Sequence, residues 1–167
     1  MACCHHALPT VNLLPGDLFC DREPHRLHTI LGSCVAVCLW DRRLRFGGMN
    51  HFVLPSSPDH GEPSSRFGDV AISALIDRLT ALGSEMGDLE AKLFGGASVL
   101  HTGTGALSVG SQNIELATAE LHRCRIPVVA SRLSGREGVV VIQCTACGDV
   151  WVRPIATIAR RPASTAP

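Results

Sequence analysis

Apolar positions recur at helical spacing in two stretches of the chain. Over residues 69–82, Ile72, Leu75, Ile76, Leu79 and Leu82 share one face, with Asp69 placed to cap the start and Gly83 to end it. Over 112–124, Ile114, Ala117, Leu121 and Cys124 repeat the spacing, and Pro127 stops the helix because it cannot continue one. Shorter apolar and β-branched runs at 46–54, 90–94, 127–130, 138–143 and 149–155 read as strands, the last two joined by a turn in QCTACGD at 143–149. Several strands with two helices among them predict an α+β fold: a single-domain layered sandwich of mixed β-sheet with about two main helices on one side. The run LGSCVAVCLW at 31–40 suits a fully buried strand and a short buried helix starting near Ser33 equally well.

Between these elements PSSPDHGEPSSR, residues 55–66, carries three prolines, a glycine and four serines, and reads as a long surface loop. Residues 1–10 read as a flexible lead-in and 158–167 as a disordered tail, which leaves 11–157 as the domain. A chain of 167 residues suits one such unit.

Charge and composition narrow the function classes. Fifteen basic residues balance fifteen acidic ones, so the usual electrostatic case for a nucleic-acid partner is absent. No run approaches the roughly 18 consecutive apolar residues of a membrane span. The opening MACCHHALPT lacks the basic start and apolar stretch of a signal peptide. The expectation is a soluble cytoplasmic protein, not embedded in a membrane, whose eight cysteines are reduced thiols and not a disulfide framework.

One of those cysteines stands in a place suited to chemistry. Cys34 follows Gly32 and Ser33 at the junction of a turn with a buried element. Glycine there permits close backbone approach by a substrate, and free N–H groups at such a junction can hold an oxyanion. A lone cysteine in an apolar run is, by itself, more simply a small buried hydrophobe. His51, seventeen residues on in GGMNHFVLP, changes the balance. If 34–40 and 45–52 pair as antiparallel strands around a turn at Arg42 and Arg43, Cys34 and His51 lie directly opposite, with Cβ atoms roughly 4.5–5.5 Å apart. Arg-Arg is not the glycine-containing pair that tight hairpins favour, and a helix followed by a strand brings the same ends together.

LGSCVAVCLWD followed by GGMNHFVLP resembles the signature of the chemoreceptor glutamine deamidases, the CheD family of bacterial chemotaxis. The resemblance continues in order through AKLFGGASV at 91–99, VGSQNIE at 109–115 and GDVWVRP at 148–154, and covers roughly residues 10–155. It implies a cysteine-dependent amidohydrolase acting on glutamines of methyl-accepting receptors, without a cofactor. In that reading Cys34 is the nucleophile, His51 its general base and Thr29 the third member, orienting the imidazole. Gly32, Ser33 and Asn50 would bind the substrate, backbone N–H groups around Ser33 and Cys34 would hold the carboxamide oxygen, and Asn50 is also the alternative to Thr29. The resemblance also implies a partner, a CheC-type phosphatase. Where the family tends to carry a Gly-Gly and Arg-rich segment before its last hairpin, this chain has LSGREG at 133–138, and His28 beside Thr29 is a second departure.

Two other classes of reading compete. Cys144 and Cys147 form a C-x-x-C pair that, with Cys3, Cys4, His5 and His6, has enough ligands for a structural zinc; no second well-spaced pair supports it, so no metal is expected. A non-catalytic module that only binds the phosphatase is the other.

Overall fold

The computed structural model describes residues 8–57, 62–98 and 108–155. In chain order these form β1 (Thr10–Asn12), β2 (Leu18–Asp21), β3 (Arg26–Leu31), β4 (Val35–Asp41), β5 (Phe46–Asn50), α1 (Gly68–Ala81), β6 (Leu89–Gly95), α2 (Val109–Arg123), β7 (Val128–Leu133), β8 (Val139–Cys144) and β9 (Val150–Pro154), with a 3-10 turn at Met86–Asp88. The strands make two mixed sheets, β1-β3-β8-β9 and β2-β5-β4-β6-β7. Both helices lie against the five-stranded sheet, and the four-stranded sheet covers its other face. This is the α+β layered sandwich the pattern predicts.

Its centre is β4. Val35, Val37 and Leu39 point into a core with Ile72, Leu75 and Leu79 of α1 and Leu121 of α2. Ala36 and Cys38 point the other way, into a second core with Leu27 and Leu31 of β3 and Val139 and Val141 of β8. A strand covered on both faces reads as an unbroken apolar run. That is why 31–40 matches strand and helix alike, and the structure resolves it as a strand after a bend at Gly32–Cys34.

Boundaries differ from the pattern in places. The first helix starts at Gly68 with Phe67 at its N-cap, while Asp69 sits in the first turn and accepts from the Ser57 N–H at 3.0 Å. The second begins three residues earlier than its apolar spacing suggests, because Ser108 caps it by accepting from the Ser111 N–H. The strands β1, β2 and β3 have weak alternation in the sequence and owe their pairing to tertiary partners: β1 lies parallel to β3, and β2 covers the edge of β5. The apolar run 46–54 is a strand only to Asn50, continuing as isolated bridges at Phe52 and Leu54.

Candidate active site

The β4–β5 connection sets the geometry. Asp41, fully buried, accepts from the N–H groups of Arg43 (2.8 Å) and Leu44 (2.7 Å), and Arg45 takes the left-handed conformation at φ 59°. An aspartate side chain that folds back on its own turn replaces the glycine a tight hairpin would use. The loop is therefore two residues longer than a tight turn at Arg42 and Arg43, and Asp41 pairs with Phe46. Every downstream pair moves by two positions. Val35 bridges Phe52, so His51 faces Ala36 and Cys34 is its diagonal neighbour, not its direct partner. A shift of two keeps both side chains on one face. Diagonal neighbours stand about 7–8 Å apart, within reach of a histidine side chain.

That face looks toward the four-stranded sheet, which supplies Thr29 from β3. Thr29 Oγ1 lies 2.8 Å from His51 Nδ1 and 2.9 Å from the Leu13 carbonyl. A carbonyl only accepts, so the single hydroxyl proton goes to Leu13, and the contact with histidine must be Nδ1–H donating to Oγ1. The imidazole thus carries its proton on Nδ1, and Nε2 is a bare base. His51 is 2% exposed, and among the described residues Nε2 has no hydrogen-bond partner. Burial lowers its pKa, against the opposing pull of the Leu13 carbonyl and Asp17. Burial likewise raises the Cys34 thiol, against its own backbone N–H and the Arg66 charge. Both shifts favour a neutral thiol beside a neutral imidazole at rest, not a thiolate–imidazolium pair.

The bend that carries Cys34 is tied down from behind. The Gly32 carbonyl accepts from the Ala97 N–H and the Cys34 carbonyl from the Gly96 N–H, each at 2.8 Å. The Ser33 carbonyl accepts from Asn113 Nδ2 at 3.1 Å. With three successive carbonyls engaged, the N–H groups of Ser33 and Cys34 donate to no other residue among those described. N–H groups beside a cysteine that are not spent on another residue suit an oxyanion.

Asn50 has a different task. It is fully buried, and its Oδ1 accepts from the Val37 N–H at 2.9 Å, bridging β5 to β4 on the face away from His51. It braces the ladder and does not reach the imidazole. His28 stands on the outward face of β3, opposite in direction to Thr29. It lines a cavity of about 260 Å³ with Asn12, Leu13, Leu14, Thr29 and His51. A larger groove of about 560 Å³ between the middle of α1, the 3-10 turn and the C-terminal end of α2 has no histidine in its lining. Cys144 is buried at the end of β8, no cluster of three potential metal ligands occurs among the described residues, and Cys3 to His6 lie outside them. No helix of the described residues is long and apolar enough to cross a membrane.

Comparison with known proteins decides the family. Residues 53–154 match the family model described as CheD chemotactic sensory transduction. A protein of Rhodospirillum rubrum, named a probable chemoreceptor glutamine deamidase CheD, is 49% identical over 150 residues, 90% of this chain and 85% of that protein. The chain belongs to the CheD family. A relative from Trichlorobacter lovleyi with the same name is 45% identical over 138 residues, covering 83% of this chain and 86% of its own. One from Anaeromyxobacter dehalogenans is 42% identical over 145 residues, 87% and 84% respectively. The CheD family model begins two residues after His51, so Thr29, Cys34 and His51 stand outside its matched stretch. Two further residues bear on the site: Arg66, in a polar loop that hides its signal, acts through its charge on the Cys34 thiol, and Asn113, inside the VGSQNIE stretch, bonds the Ser33 carbonyl.

Proposed function

We propose that this chain, a member of the CheD family, is a protein-glutamine glutaminase that deamidates glutamine side chains of chemotaxis receptors, with Cys34 as nucleophile, His51 as general base and Thr29 as its orienter. The observation that supports this site most is the Thr29–His51 hydrogen bond, which fixes a tautomer with a bare Nε2 on the face shared with Cys34. His51 Nε2 takes the thiol proton as sulfur attacks the carboxamide carbon. The oxygen, now negative, is held by the N–H groups of Ser33 and Cys34. Collapse of the adduct breaks the C–N bond, and the imidazolium returns its proton to the departing ammonia, leaving a thioester. Water, deprotonated by the same nitrogen, hydrolyses the thioester to glutamate and regenerates the thiol.

The resting pair is neutral, so base-assisted attack fits this site better than a standing thiolate. The substrate is a cytoplasmic receptor helix, which places the enzyme in the cytoplasm, and a CheC-type phosphatase is proposed as a partner on the same face. The test is ammonia release from a purified receptor fragment. Cys34→Ala is expected to lose it while keeping its fold, and Cys38→Ala, whose sulfur is buried between the sheets, to keep it. Equal loss in both, or none in the first, sinks the assignment.

A further inference from the structure

The geometry points to Asn113 as the positioning residue of this site, a single buried amide that fixes the nucleophile's bend and the strand beyond the base in one register. Its Nδ2 donates to the Ser33 carbonyl at 3.1 Å and to the Val53 carbonyl at 2.9 Å. Ser33 immediately precedes Cys34, and Val53 lies two residues after His51. Both protons of one rigid, planar group are therefore spent on the two segments whose relative placement sets the distance from sulfur to imidazole. Asn113 has no exposed surface, and its Oδ1 has no partner among the described residues. A buried carbonyl left unsatisfied is costly, so the side chain is held there by what its nitrogen does.

The fold makes room for this contact. The first turn of α2 crosses the end of β6 where both backbones lack a side chain. A Cβ on Gly110 would stand 2.6 Å from the Gly96 oxygen, and Gly96 itself adopts φ 70°. That close crossing carries Asn113, one turn further along α2, under the bend. It also lets the Gly96 N–H reach the Cys34 carbonyl. The Ser33 carbonyl and the Cys34 N–H share one trans peptide plane, so holding the carbonyl toward Asn113 points that N–H away from the helix, where a developing oxyanion can use it.

This inference rests on the deamidase reading, and the experiment separates the two. Asn113→Ala and the isosteric Asn113→Asp, which has no N–H and, when ionised, no donor at all, are assayed for ammonia release beside wild type and Cys34→Ala. Activity in wild type that vanishes in Cys34→Ala upholds the reading whatever Asn113 does. Both Asn113 variants are expected to lose about 10–100-fold in kcat per folded molecule, as a displacement near 1 Å can cost, with KM for receptor within about threefold. The pH dependence of Cys34 alkylation in both is expected to move toward that of His51→Ala, a readout that mere loss of stability would not shift. Wild-type kcat per folded molecule, an unchanged alkylation profile, or a loss that tracks only the unfolded fraction overturns the proposal.

Discussion

In the proposed mechanism the chemistry turns on His51, whose state follows from one neighbour and from burial. Thr29 takes the Nδ1 proton, and burial keeps the ring neutral below the ordinary histidine value of 6.5. The working form, with Nε2 free, is thus present at pH 7 and is lost as pH falls through the lowered pKa. The acid limb of kcat/KM against pH, which reports the free enzyme, is expected below pH 6.5. In Thr29→Val the ring loses its acceptor, and kcat is expected to drop with KM held, since the tautomer is no longer fixed. His51→Ala is expected to slow turnover by about 10²–10⁴-fold, the range of general acid–base catalysis. A stopped assay across pH 5–8 measures all three, and an acid limb above 6.5 would contradict the neutral-base assignment. Asn50 gives the contrasting residue-scale prediction. Asn50→Ala leaves the buried Val37 N–H without its acceptor and is expected to cost about 1–3 kcal/mol in urea unfolding. Receptor KM should stay unchanged, because the carboxamide braces the sheet and does not line the site.

At the scale of elements, the bend at Gly32–Cys34, the end of β5 and the first turns of α2 act as one assembly, with the 55–66 loop leaving directly from it. The described ends of that loop are anchored: Ser57 N–H donates to Asp69, and the Arg66 carbonyl accepts from the N–H groups of Val53 (2.8 Å) and Leu54 (3.1 Å). The anchors hold the rim of the site, whereas the serines and prolines between them have little apolar surface to bury. Replacing 57–64 with a short Gly/Ser linker should raise KM for receptor with little change in kcat, read by steady-state ammonia release. A collapse of kcat at constant KM would show that the loop supports the chemistry itself. Residues 58–61 lie outside the described residues.

At the scale of the whole molecule, thiols buried in the two cores tie stability to pH. Cys38, between the sheets, has its pKa pushed far above the ordinary 9.0 by desolvation, which outweighs the attraction of Lys92. Half-buried Cys20 is raised for the same reason. The folded state keeps these protons where the unfolded chain gives them up. Their contribution is therefore complete below pH 9 and is lost as pH rises from 9 toward the folded values. The fully buried Cys38 thiol steepens the loss by up to about 1.4 kcal/mol per pH unit, and half-exposed Cys20 adds less because solvent screens it. Urea unfolding between pH 8 and 10.5 is expected to show this slope, and Cys38→Ala should reduce it; identical slopes would assign the pH dependence elsewhere.

Periodicity in the sequence sufficed for both helices, the layered α+β class, and the strands whose apolar runs are long enough to stand out. The motifs around Cys34 and His51 carried the family by resemblance, because a glycine-led turn and a following histidine keep their spacing in the chain. Register did not show in that way. It depended on Asp41 bonding its own turn and on Arg45 turning left-handed, which lengthened the loop by two residues and set Cys34 diagonal to His51. The third strand was hidden because its order comes from a partner distant in the chain, β8, more than a hundred residues later, and β1 in turn pairs on β3. For the same reason Thr29 meets His51 only when two sheets close face to face. Asn113 reaches Ser33 and Val53 only when two glycines let a helix sit on the backbone of β6. Local spacing is written residue by residue, whereas contacts across layers are set by what must be buried and which polar groups must then find partners.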